Sequence, residues 1–324
     1  MTKQPIPLSQ AGIATALDAR ADTRHYLVAY SGGMDSHVLL WLLAGLARDA
    51  GYRVRAVHVN HNIHPHSQDW ARHCRATCQA LEVELTVLDV DASAPGRESP
   101  ENWAREKRYG ALREILAADE VLLTAHHQDD QLETLLLRLL RGAGVLGLAA
   151  MRPLREFGPG FHARPLLHYS RAQLLDYAQR HNLCWLEDPS NADTQFDRNY
   201  LRHEVLPALR HRWPALALPV SRTAQACAEA QELLDELARR DLQDCATQDP
   251  DALRVDRIQE LSAPRQKNLI RHWCRVLDLP TPNSRHLAHI ISDVIQARPD
   301  ARPRVNWKGA ELRRQRNYLY LTAS

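Results

Sequence analysis

A short loop of serine and glycine between an apolar run and a helical run constrains this chain most strongly. The loop is Ser31-Gly32-Gly33-Met34-Asp35-Ser36, after the apolar run at 26–30 and before the helix-like run at 37–50. Adjacent glycines permit a tight turn and let the backbone approach a ligand closely. Serine hydroxyls and the free amides at a helix start offer hydrogen-bond donors to an anion. The strand, loop and helix therefore predict a phosphate-binding site.

This loop differs from the Walker P-loop, G-x-x-x-x-G-K-S/T, because neither Gly-Lys-Ser nor Gly-Lys-Thr occurs in the chain. Asp35 would repel a phosphate unless a divalent cation lay between them, so Asp35 is a candidate metal ligand. An ordinary turn before a helix is the alternative interpretation of the six residues.

Composition indicates an ordinary globular protein, with 324 residues, 44% hydrophobic and 25% charged, which is long enough for two domains. No apolar run approaches the roughly 20 residues that span a bilayer. The N-terminal sequence lacks the apolar core of a signal peptide, which predicts a cytoplasmic protein with no membrane partner. None of the six cysteines forms a C-x-x-C pair, so buried thiols are expected rather than metal ligands or disulfides.

A net charge of +2 does not by itself indicate nucleic-acid binding, but basic residues are concentrated near the C-terminus. Between residues 301 and 317 there are six basic residues and one acidic residue, Glu311. A solvated face and a phosphate-binding face both remain open for this strip. Its basic members are Arg302, Arg304, Lys308, Arg313, Arg314 and Arg316.

Alternating strand and helix patterns fill the first half of the chain and predict an α/β fold with a parallel sheet. Open parallel sheets bind ligands beyond the carboxyl ends of their strands, where three polar clusters are expected to meet. These are the loop at 31–36, the segment 58–62 with His58, and the segment 124–130 with His126. The predicted strands are 25–30, 53–59, 83–89 and 121–125, and the helices are 36–49, 66–81, 101–118 and 129–141.

We place a domain boundary near residue 214, after a helix that ends at Arg212 and before Trp213-Pro214. The first domain, 1–214, also contains a short extended piece at 164–167 and a helix capped by Ser170. The second, 215–324, begins with a linker helix and is expected to be a smaller, mostly helical or α+β domain. Its predicted elements are helices at 255–277 and 283–297 and strands at 304–307 and 317–321.

The segment from Thr124 to Thr134 carries the strongest candidate for a second chemical group. Asp130 and Glu133 are three residues apart and would share one helix face, where two carboxylates could hold an ammonium group or a magnesium ion. Acids that merely complement the helix dipole are the alternative. A zinc site with His126 and the following histidine lacks further ligands at a clear spacing.

Two other segments contain residues that could serve phosphate chemistry. The string G-x-G-x-x-G at 142–147 follows a helix rather than a strand, which rejects a dinucleotide fingerprint and favours a loop. Arg198 and Arg202, one helical turn apart, could grip consecutive phosphates or the charge that develops in a phosphoryl transfer. A capped polar loop is the alternative interpretation there.

Seven blocks in order, over about residues 25 to 210, resemble the tRNA(Ile)-lysidine synthetases of the PP-loop (N-type) ATP pyrophosphatase family. The blocks are SGGMDS, HVNHNI, the segment from Asn102 to Tyr109, TAHHQDDQLET, RGAGVLGL, RPLL and EDPSNADTQFDRN. The resemblance implies a ligase that adenylates the wobble cytidine of the CAU anticodon of tRNA(Ile) at its C2 oxygen and lets lysine displace AMP. ATP, Mg²⁺, free L-lysine and this tRNA are the implied cofactors and partners; a homodimer is left open.

The resemblance also implies roles for individual residues. The loop from Ser31 to Ser36, with His58 and His126, would bind ATP, and Asp35 would hold magnesium. Arg105 would lie near the reacting phosphate or nucleotide. Asp130 and Glu133 would hold lysine, and Arg198 and Arg202 would contact substrate. Longer family members carry a further C-terminal domain, so the chain resembles either the short two-domain form or a truncated copy. The remaining tRNA contact is then expected at Trp307 and the basic strip.

Three rival functions remain. A tRNA thiolase uses the same loop, but that chemistry usually needs paired or cluster-binding cysteines, and no C-x-x-C is present. Amidotransferases share SGG-x-DS but bring a glutaminase domain, which does not fit before residue 25. An inert nucleotide-binding or tRNA-binding protein is a rival from another class, although the presence of Asp35, Asp130 and Glu133 argues against decay.

Overall fold

A computed structural model of the chain describes residues 7–18, 23–60, 67–91, 100–298 and 300–324. The chain divides into two compact units, Met1–Ala226 and Cys227–Ser324. This division lies inside a long helix, Ala217–Cys245, whereas the boundary predicted at 214 lies just before that helix begins. None of the helices in the described ranges is both long enough and apolar enough to cross a bilayer.

The first unit contains a six-stranded sheet in the order β3-β2-β1-β4-β6-β5. All neighbours pair in parallel except β5 and β6, which pair antiparallel. The predicted α/β fold with a parallel sheet is therefore confirmed. The strands are β1 His25–Ala29, β2 Arg53–Asn60, β3 Glu84–Asp89, β4 Glu120–Leu123, β5 Leu154–Phe157 and β6 Gly160–Ala163.

Helices connect these strands and cover both faces of the sheet, as parallel pairing requires. They are α1 Gln10–Asp18, α2 Met34–Ala50, α3 Ser67–Ala80, α4 Pro100–Ile115, α5 Gln128–Leu140, α6 Val145–Leu148 and α7 Arg171–Arg180. A 3₁₀ turn, Pro189–Ala192, then leads into a helical run of α8 Asp197–Tyr200, a π segment Leu201–Val205 and α9 Leu206–Arg212. The helix α10, Ala217–Cys245, follows.

The strand β1 shows why both faces are covered, because its alternate residues enter different cores. Tyr26 and Val28 pack with the apolar face of α2, including Leu39 and Leu43. Leu27, between them, packs on the other side with residues that include Leu112 from α4. The register of such a strand is strongly specified, because a shift by one residue would move every side chain to the opposite face. The loop that follows β1 is therefore fixed at one edge of the sheet.

A hairpin, β5 and β6, is the main element of this unit that the sequence did not predict. Its strands have four residues each, and the edge strand β5 carries charged side chains, so it shows no apolar alternation. The extended piece predicted at 164–167 is wrong, because the chain turns there, directly after β6. The true strand lies just before it and pairs in parallel with β4.

The second unit packs helices against a four-stranded sheet in the order β7-β10-β9-β8. The helix predicted over 255–277 is broken near Ser262, which caps a new helix that begins at Ala263 and has Pro264 in its first turn. The middle strand β9 was not predicted, because Ala-Glu-Leu-Arg-Arg-Gln looks charged throughout. The elements are β7 Ala252–Arg254, α11 Val255–Glu260, α12 Ala263–Val276, α13 Ser284–His289, a π segment Ile290–Ile295, β8 Arg304–Trp307, β9 Ala310–Gln315 and β10 Tyr318–Thr322.

The close packing at the start of β6 gives a test of the fold. A Cβ added at Gly160 would lie 2.4 Å from the carbonyl oxygen of Glu120 and 3.1 Å from that of Ala117. Both are backbone atoms, so Gly160→Ala must displace a strand and is expected to cost about 1–3 kcal/mol in unfolding free energy. Gly110→Ala, inside α4 with open space around its added Cβ, is the matched control and should stabilise by up to about 1 kcal/mol. Thermal denaturation of both variants checks this, and equal midpoints would contradict it.

Candidate functional site

The loop after β1 is held by its own two serines. The hydroxyls of Ser31 and Ser36 lie 3.0 Å apart, the Ser31 amide donates to Ser36 Oγ at 3.2 Å, and Ser36 Oγ donates to the Gly33 carbonyl at 2.9 Å. Gly32 has a φ of 83°, which a residue with a side chain rarely adopts. These bonds close the turn and aim the start of α2 at the edge of the sheet.

The first turn of α2 can receive an anion. Its N-cap, Gly33, has no side chain that could accept a hydrogen bond from the first backbone amides of the helix. These N–H groups are therefore available to a ligand. A later segment supports the same loop, since the Leu186 amide donates to the Gly32 carbonyl at 3.0 Å and His37 Nδ1 donates to the Cys184 carbonyl at 2.8 Å. These contacts leave the start of α2 free to receive an anion, and phosphate binding by the loop stays a prediction.

A chain of carboxylate, imidazole and guanidinium groups runs from this loop to the helix α5 and beyond. His127 Nε2 lies 3.5 Å from Asp35 Oδ2, and His127 Nδ1 lies 3.4 Å from Asp130 Oδ2. The other oxygen of Asp130, Oδ1, lies 3.5 Å from Nη2 of Arg202, which also binds Glu133. The structure thus brings together Asp35, Asp130, Glu133, Arg198 and Arg202, which the sequence placed in three separate motifs.

Glu133 is 1% exposed, and both of its oxygens are occupied by arginines. Arg202 Nε donates to Oε1 at 2.7 Å, while Arg198 Nε and Arg202 Nη2 donate to Oε2 at 2.8 and 3.0 Å. This differs from the free carboxylate pair expected at Asp130 and Glu133. Sequence spacing placed the two acids on one helix face, but it did not show that two arginines from a distant segment neutralise Glu133.

The pKa values around His127 follow from burial and its carboxylate neighbours. Burial lowers the pKa of His127, but the carboxylates of Asp130, Asp35 and Asp129 outweigh this effect and raise it above its ordinary value. Burial raises the pKa of Asp130, and this effect outweighs the nearby charges of His127 and Arg198, which lower it. His127, which the sequence analysis gave no role of its own, is the bridge between the loop and α5.

Asp35 fits a magnesium site that ATP would complete. Its Oδ1 atom is buried and has no hydrogen-bond partner among the described residues, so one oxygen is free to accept a cation. Magnesium is typically held by one or two carboxylates together with phosphate oxygens of the substrate. The described ranges contain no group of three or more His, Cys, Asp and Glu side chains arranged around a metal position.

His126 is held as a neutral donor by a relay of hydrogen bonds. His162 Nδ1 accepts from Arg155 Nε and Arg164 Nη2, both at 3.3 Å, so the His162 proton is on Nε2. That proton is donated to Thr124 Oγ1 at 2.8 Å, and the hydroxyl then donates to His126 Nδ1 at 2.7 Å. His126 therefore carries its proton on Nε2. Burial, reinforced by nearby arginines, lowers the pKa of His126 well below its ordinary value and that of His162 to about 2.

His58 lies beneath the loop rather than at its open side. It is 5% exposed, and its Nδ1 donates to the Tyr30 carbonyl at 3.0 Å and lies 3.5 Å from Cys74 Sγ. Burial lowers its pKa, so it supports the end of β1 as a neutral ring. Its contact with ATP stays a prediction. The neighbouring residues 61–66, which include part of the HVNHNI block, lie outside the described residues.

Arg105 lies on α4, where its guanidinium stacks over the Tyr109 ring at 4.9 Å. It joins Arg155, His162 and Arg164 rather than the carboxylates of α5, although its charge contributes to the lowered pKa of His126. Its predicted place near a reacting phosphate remains a prediction.

Comparison with known proteins assigns the chain to a family. The PP-loop domain family matches residues 8–209, and the TilS substrate binding domain matches residues 253–320. The tRNA(Ile)-lysidine synthase of Alkalilimnicola ehrlichii (strain ATCC BAA-1101 / DSM 17681 / MLHE-1) is 44% identical over 318 residues, which cover 98% of this chain and 71% of that protein. The chain belongs to the tRNA(Ile)-lysidine synthase family.

The synthase of Coxiella burnetii (strain RSA 493 / Nine Mile phase I) is 42% identical over 298 residues, or 92% of this chain and 66% of that protein. The chain thus spans about two thirds of the length of these tRNA(Ile)-lysidine synthases. The predicted family is confirmed, and these relatives support an ATP-dependent ligase over the rival thiolase and the inert binder.

One solved structure shares the fold. The U34-tRNA thiolase NcsA from Methanococcus maripaludis has a TM-score of 0.57 and 17% identity, over 68% of this chain and 78% of that chain. At this identity the likeness concerns the fold alone, so it does not favour thiolase chemistry for this member of the lysidine synthase family.

The buried ion-pair cluster around Glu133 gives a test of the site. Glu133→Gln keeps the shape of the side chain but replaces one carboxylate oxygen by an NH₂ group. That group is a hydrogen-bond donor and would face an arginine N–H, which is also a donor. We expect a loss of about 3 kcal/mol or more in unfolding free energy, because removing one partner leaves buried charge uncompensated. Asp176→Asn, which breaks the exposed pair with Arg180, should leave stability near wild type. Chemical denaturation checks both, and equal effects would show that Glu133 is not the anchor of the two arginines.

Proposed function

We propose that this chain ligates lysine to C2 of the wobble cytidine in the CAU anticodon of tRNA(Ile). ATP would adenylate the C2 oxygen with release of pyrophosphate, and the lysine amine would then displace AMP. The observation that carries the proposal is the chain of contacts from Asp35 through His127 to Asp130, which joins a phosphate loop to a second polar site. Family membership supplies the substrate class, and we propose that the reaction takes place in the cytoplasm.

The adenylation step needs positioning more than bond-making chemistry. The C2 oxygen attacks the α-phosphorus of ATP, a new oxygen–phosphorus bond forms, and the bond to pyrophosphate breaks. We assign the pyrophosphate to the hydroxyls of Ser31 and Ser36 and the amides that begin α2, and ATP contact also to His126. Asp35 would hold magnesium, which offsets the charge on the departing pyrophosphate.

The second step requires a lysine amine beside the activated base. The amine attacks C2 and forms the new C–N bond, its proton passes to solvent, and AMP leaves with the electrons of the C2–oxygen bond. We retain Asp130 and Glu133 for lysine recognition and give the direct contact to Asp130, whose side chain is 14% exposed against 1% for Glu133. Arg198 and Arg202, held by Glu133, would present their remaining N–H groups to substrate phosphate.

Contact with tRNA is proposed for part of the basic strip in the second unit. Neighbouring residues of β9 point to opposite faces of the sheet, so the strip contains both exposed and buried arginines. Arg313 is exposed and lies over the Tyr320 ring at 5.5 Å, while Arg314 is only 4% exposed. Arg314 Nη1 donates to the carbonyls of Ile295 and Ala297 at 2.8 and 2.6 Å, so it caps a helical segment.

Trp307, predicted as a tRNA contact, is 8% exposed, and its Nε1 donates to the Pro280 carbonyl at 2.6 Å. The expectation that Trp307 contacts tRNA is therefore not supported. Exposed basic residues on and around the sheet of the second unit replace it in the proposal. These are Arg302, Arg304, Lys308, Arg313 and Arg316.

The reaction is tested with purified protein, tRNA(Ile) bearing CAU, labelled lysine and Mg-ATP, by scoring acid-precipitable lysine and AMP release. Asp35→Asn should lower both by at least about 100-fold, because it removes the charge that would hold magnesium at the pyrophosphate. Asp49→Asn, at the exposed opposite end of the same helix, is the matched control and should retain activity.

AMP release by the wild type without lysine incorporation would keep adenylation but overturn lysine as the second substrate. Omission of Mg²⁺ should abolish both products. A folded Glu133→Gln variant with an unchanged Michaelis constant for lysine would end the lysine assignment of that residue.

Arg313 and Arg314 are adjacent in β9, and variants of the two distinguish a tRNA contact from a structural role. Arg313→Gln should preserve the melting temperature, weaken tRNA(Ile) binding and reduce the slope of log affinity against log salt by about 1. Arg314→Gln should instead lower the melting temperature, because several buried carbonyls lose their donor. Filter binding at several salt concentrations and thermal denaturation measure both, and an unchanged slope for Arg313→Gln would exclude it from the tRNA surface.

A further inference from the structure

A second cationic site, which we call the arginine pocket, lies at the same sheet edge as the phosphate loop. It consists of Arg105 and Tyr109 from α4, Arg155 from β5, His162 from β6, and Arg164 directly after β6. A cavity of about 340 Å³ opens here, lined by Arg105, Glu106, Tyr109 and Arg155.

The fold brings these residues together from three elements. Arg155 and His162 are directly paired across the β5–β6 hairpin, and Arg164 follows two residues later. Tyr109 lies one helical turn after Arg105, and its ring is approached by Arg105 at 4.9 Å and by Arg155 at 5.9 Å. The cavity is open to substrate, because Arg155 is exposed and Arg105 is half-buried.

The pocket is short of negative charge. Within the described residues, no carboxylate oxygen lies within 4.0 Å of a guanidinium nitrogen of Arg105, Arg155 or Arg164, and this includes Glu106 at the cavity wall. Arg164 is 5% exposed, and its Nε is buried without a hydrogen-bond partner. His162 adds no positive charge, because its Nδ1 accepts bonds from two arginines.

Clustered guanidinium groups repel one another, and Arg164 is also desolvated. Burial lowers the pKa of Arg164 to about 10, with the charges of Arg155 and Arg105 acting in the same direction. Stacking on the Tyr109 ring explains how the Arg155 side chain is held in position. It does not neutralise the positive charges of Arg105, Arg155 and Arg164. A bound anion would neutralise them, and the planar forks of arginine suit the oxygens of a phosphate.

We propose that the arginine pocket binds a phosphate group of a substrate, with Arg105 and Arg155 as the contacting residues and Arg164 as a buried positive charge behind them. This rests on the proposed function, in which ATP and tRNA both bring phosphates to this edge of the sheet. His162 is a positioning residue, since it holds Arg155 and Arg164 through one ring nitrogen and Thr124 through the other.

The test compares Arg155→Gln with Arg155→Lys, which keeps the charge, and with Arg180→Gln, which removes an exposed arginine elsewhere in the same unit. Binding of labelled tRNA(Ile) without ATP is measured by filter retention, and binding of Mg-ATP without tRNA by equilibrium dialysis. We expect Arg155→Gln to weaken one of the two by about tenfold, as for a lost charged hydrogen bond. The lysine variant should recover part of this loss, and Arg180→Gln should bind as wild type.

The two binding measurements identify the source of the phosphate. Weakened tRNA binding with a smaller salt slope assigns the pocket to an RNA phosphodiester, whereas weakened ATP binding assigns it to the nucleotide. Wild-type affinity for both ligands in Arg155→Gln and in the double variant with Arg105→Gln would overturn the proposal. Lysine transfer by the wild type is measured in a separate assay. Its absence would contradict the proposed function but would not bear on whether the arginine pocket binds a phosphate.

Discussion

Parallel pairing of β1 with β4 is the constraint on which the site depends. The pairing places the carboxyl ends of the two strands side by side, so that the loop after β1 and the segment after β4 begin at one edge. At that edge the strand order turns in opposite directions, β1 towards β2 and β4 towards β6, which opens a crevice. His127 spans it, with one ring nitrogen towards Asp35 and the other towards Asp130. Without this strand pairing, the two carboxylates would be separate surface acids.

Charge is distributed unevenly around this edge, and the difference suggests a division of tasks. On one side, Glu133 forms short hydrogen bonds with Arg198 and Arg202, and the Asp130 carboxylate lies 3.5 to 4.0 Å from them, which gives a nearly neutral cluster. In the arginine pocket on the other side, Glu106 lines the cavity, but no carboxylate among the described residues forms an ion pair with Arg105, Arg155 or Arg164, so their charges remain uncompensated. The compensated cluster suits the placement of a small amino acid such as lysine and leaves some N–H groups of Arg198 and Arg202 for a phosphate, whereas the uncompensated pocket suits a phosphate alone.

Much of this could be predicted from the sequence, for identifiable reasons. The parallel sheet followed from apolar runs alternating with helical periods, and the phosphate loop followed from two glycines between a strand and a helix. The hairpin β5–β6 was missed because its strands are short and partly charged, and their identity depends on pairing with β4. Strand β9 was missed because Arg314, counted as part of a basic strip, is directed into the core and satisfied by carbonyl groups.

The sequence by itself determined the fold class, the position of the phosphate loop and the family, because these depend on local patterns and on the order of motifs. Only the tertiary structure decided which charged groups meet. Spacing along a helix showed that Asp130 and Glu133 share a face, but their partners Arg198 and Arg202 come from a segment more than sixty residues away. Likewise, the proton position on His126 depends on Thr124 after β4, His162 in β6, Arg155 in β5 and Arg164 after β6. Ionic and hydrogen-bond partners are set by distance in space, which a local pattern in the sequence does not encode.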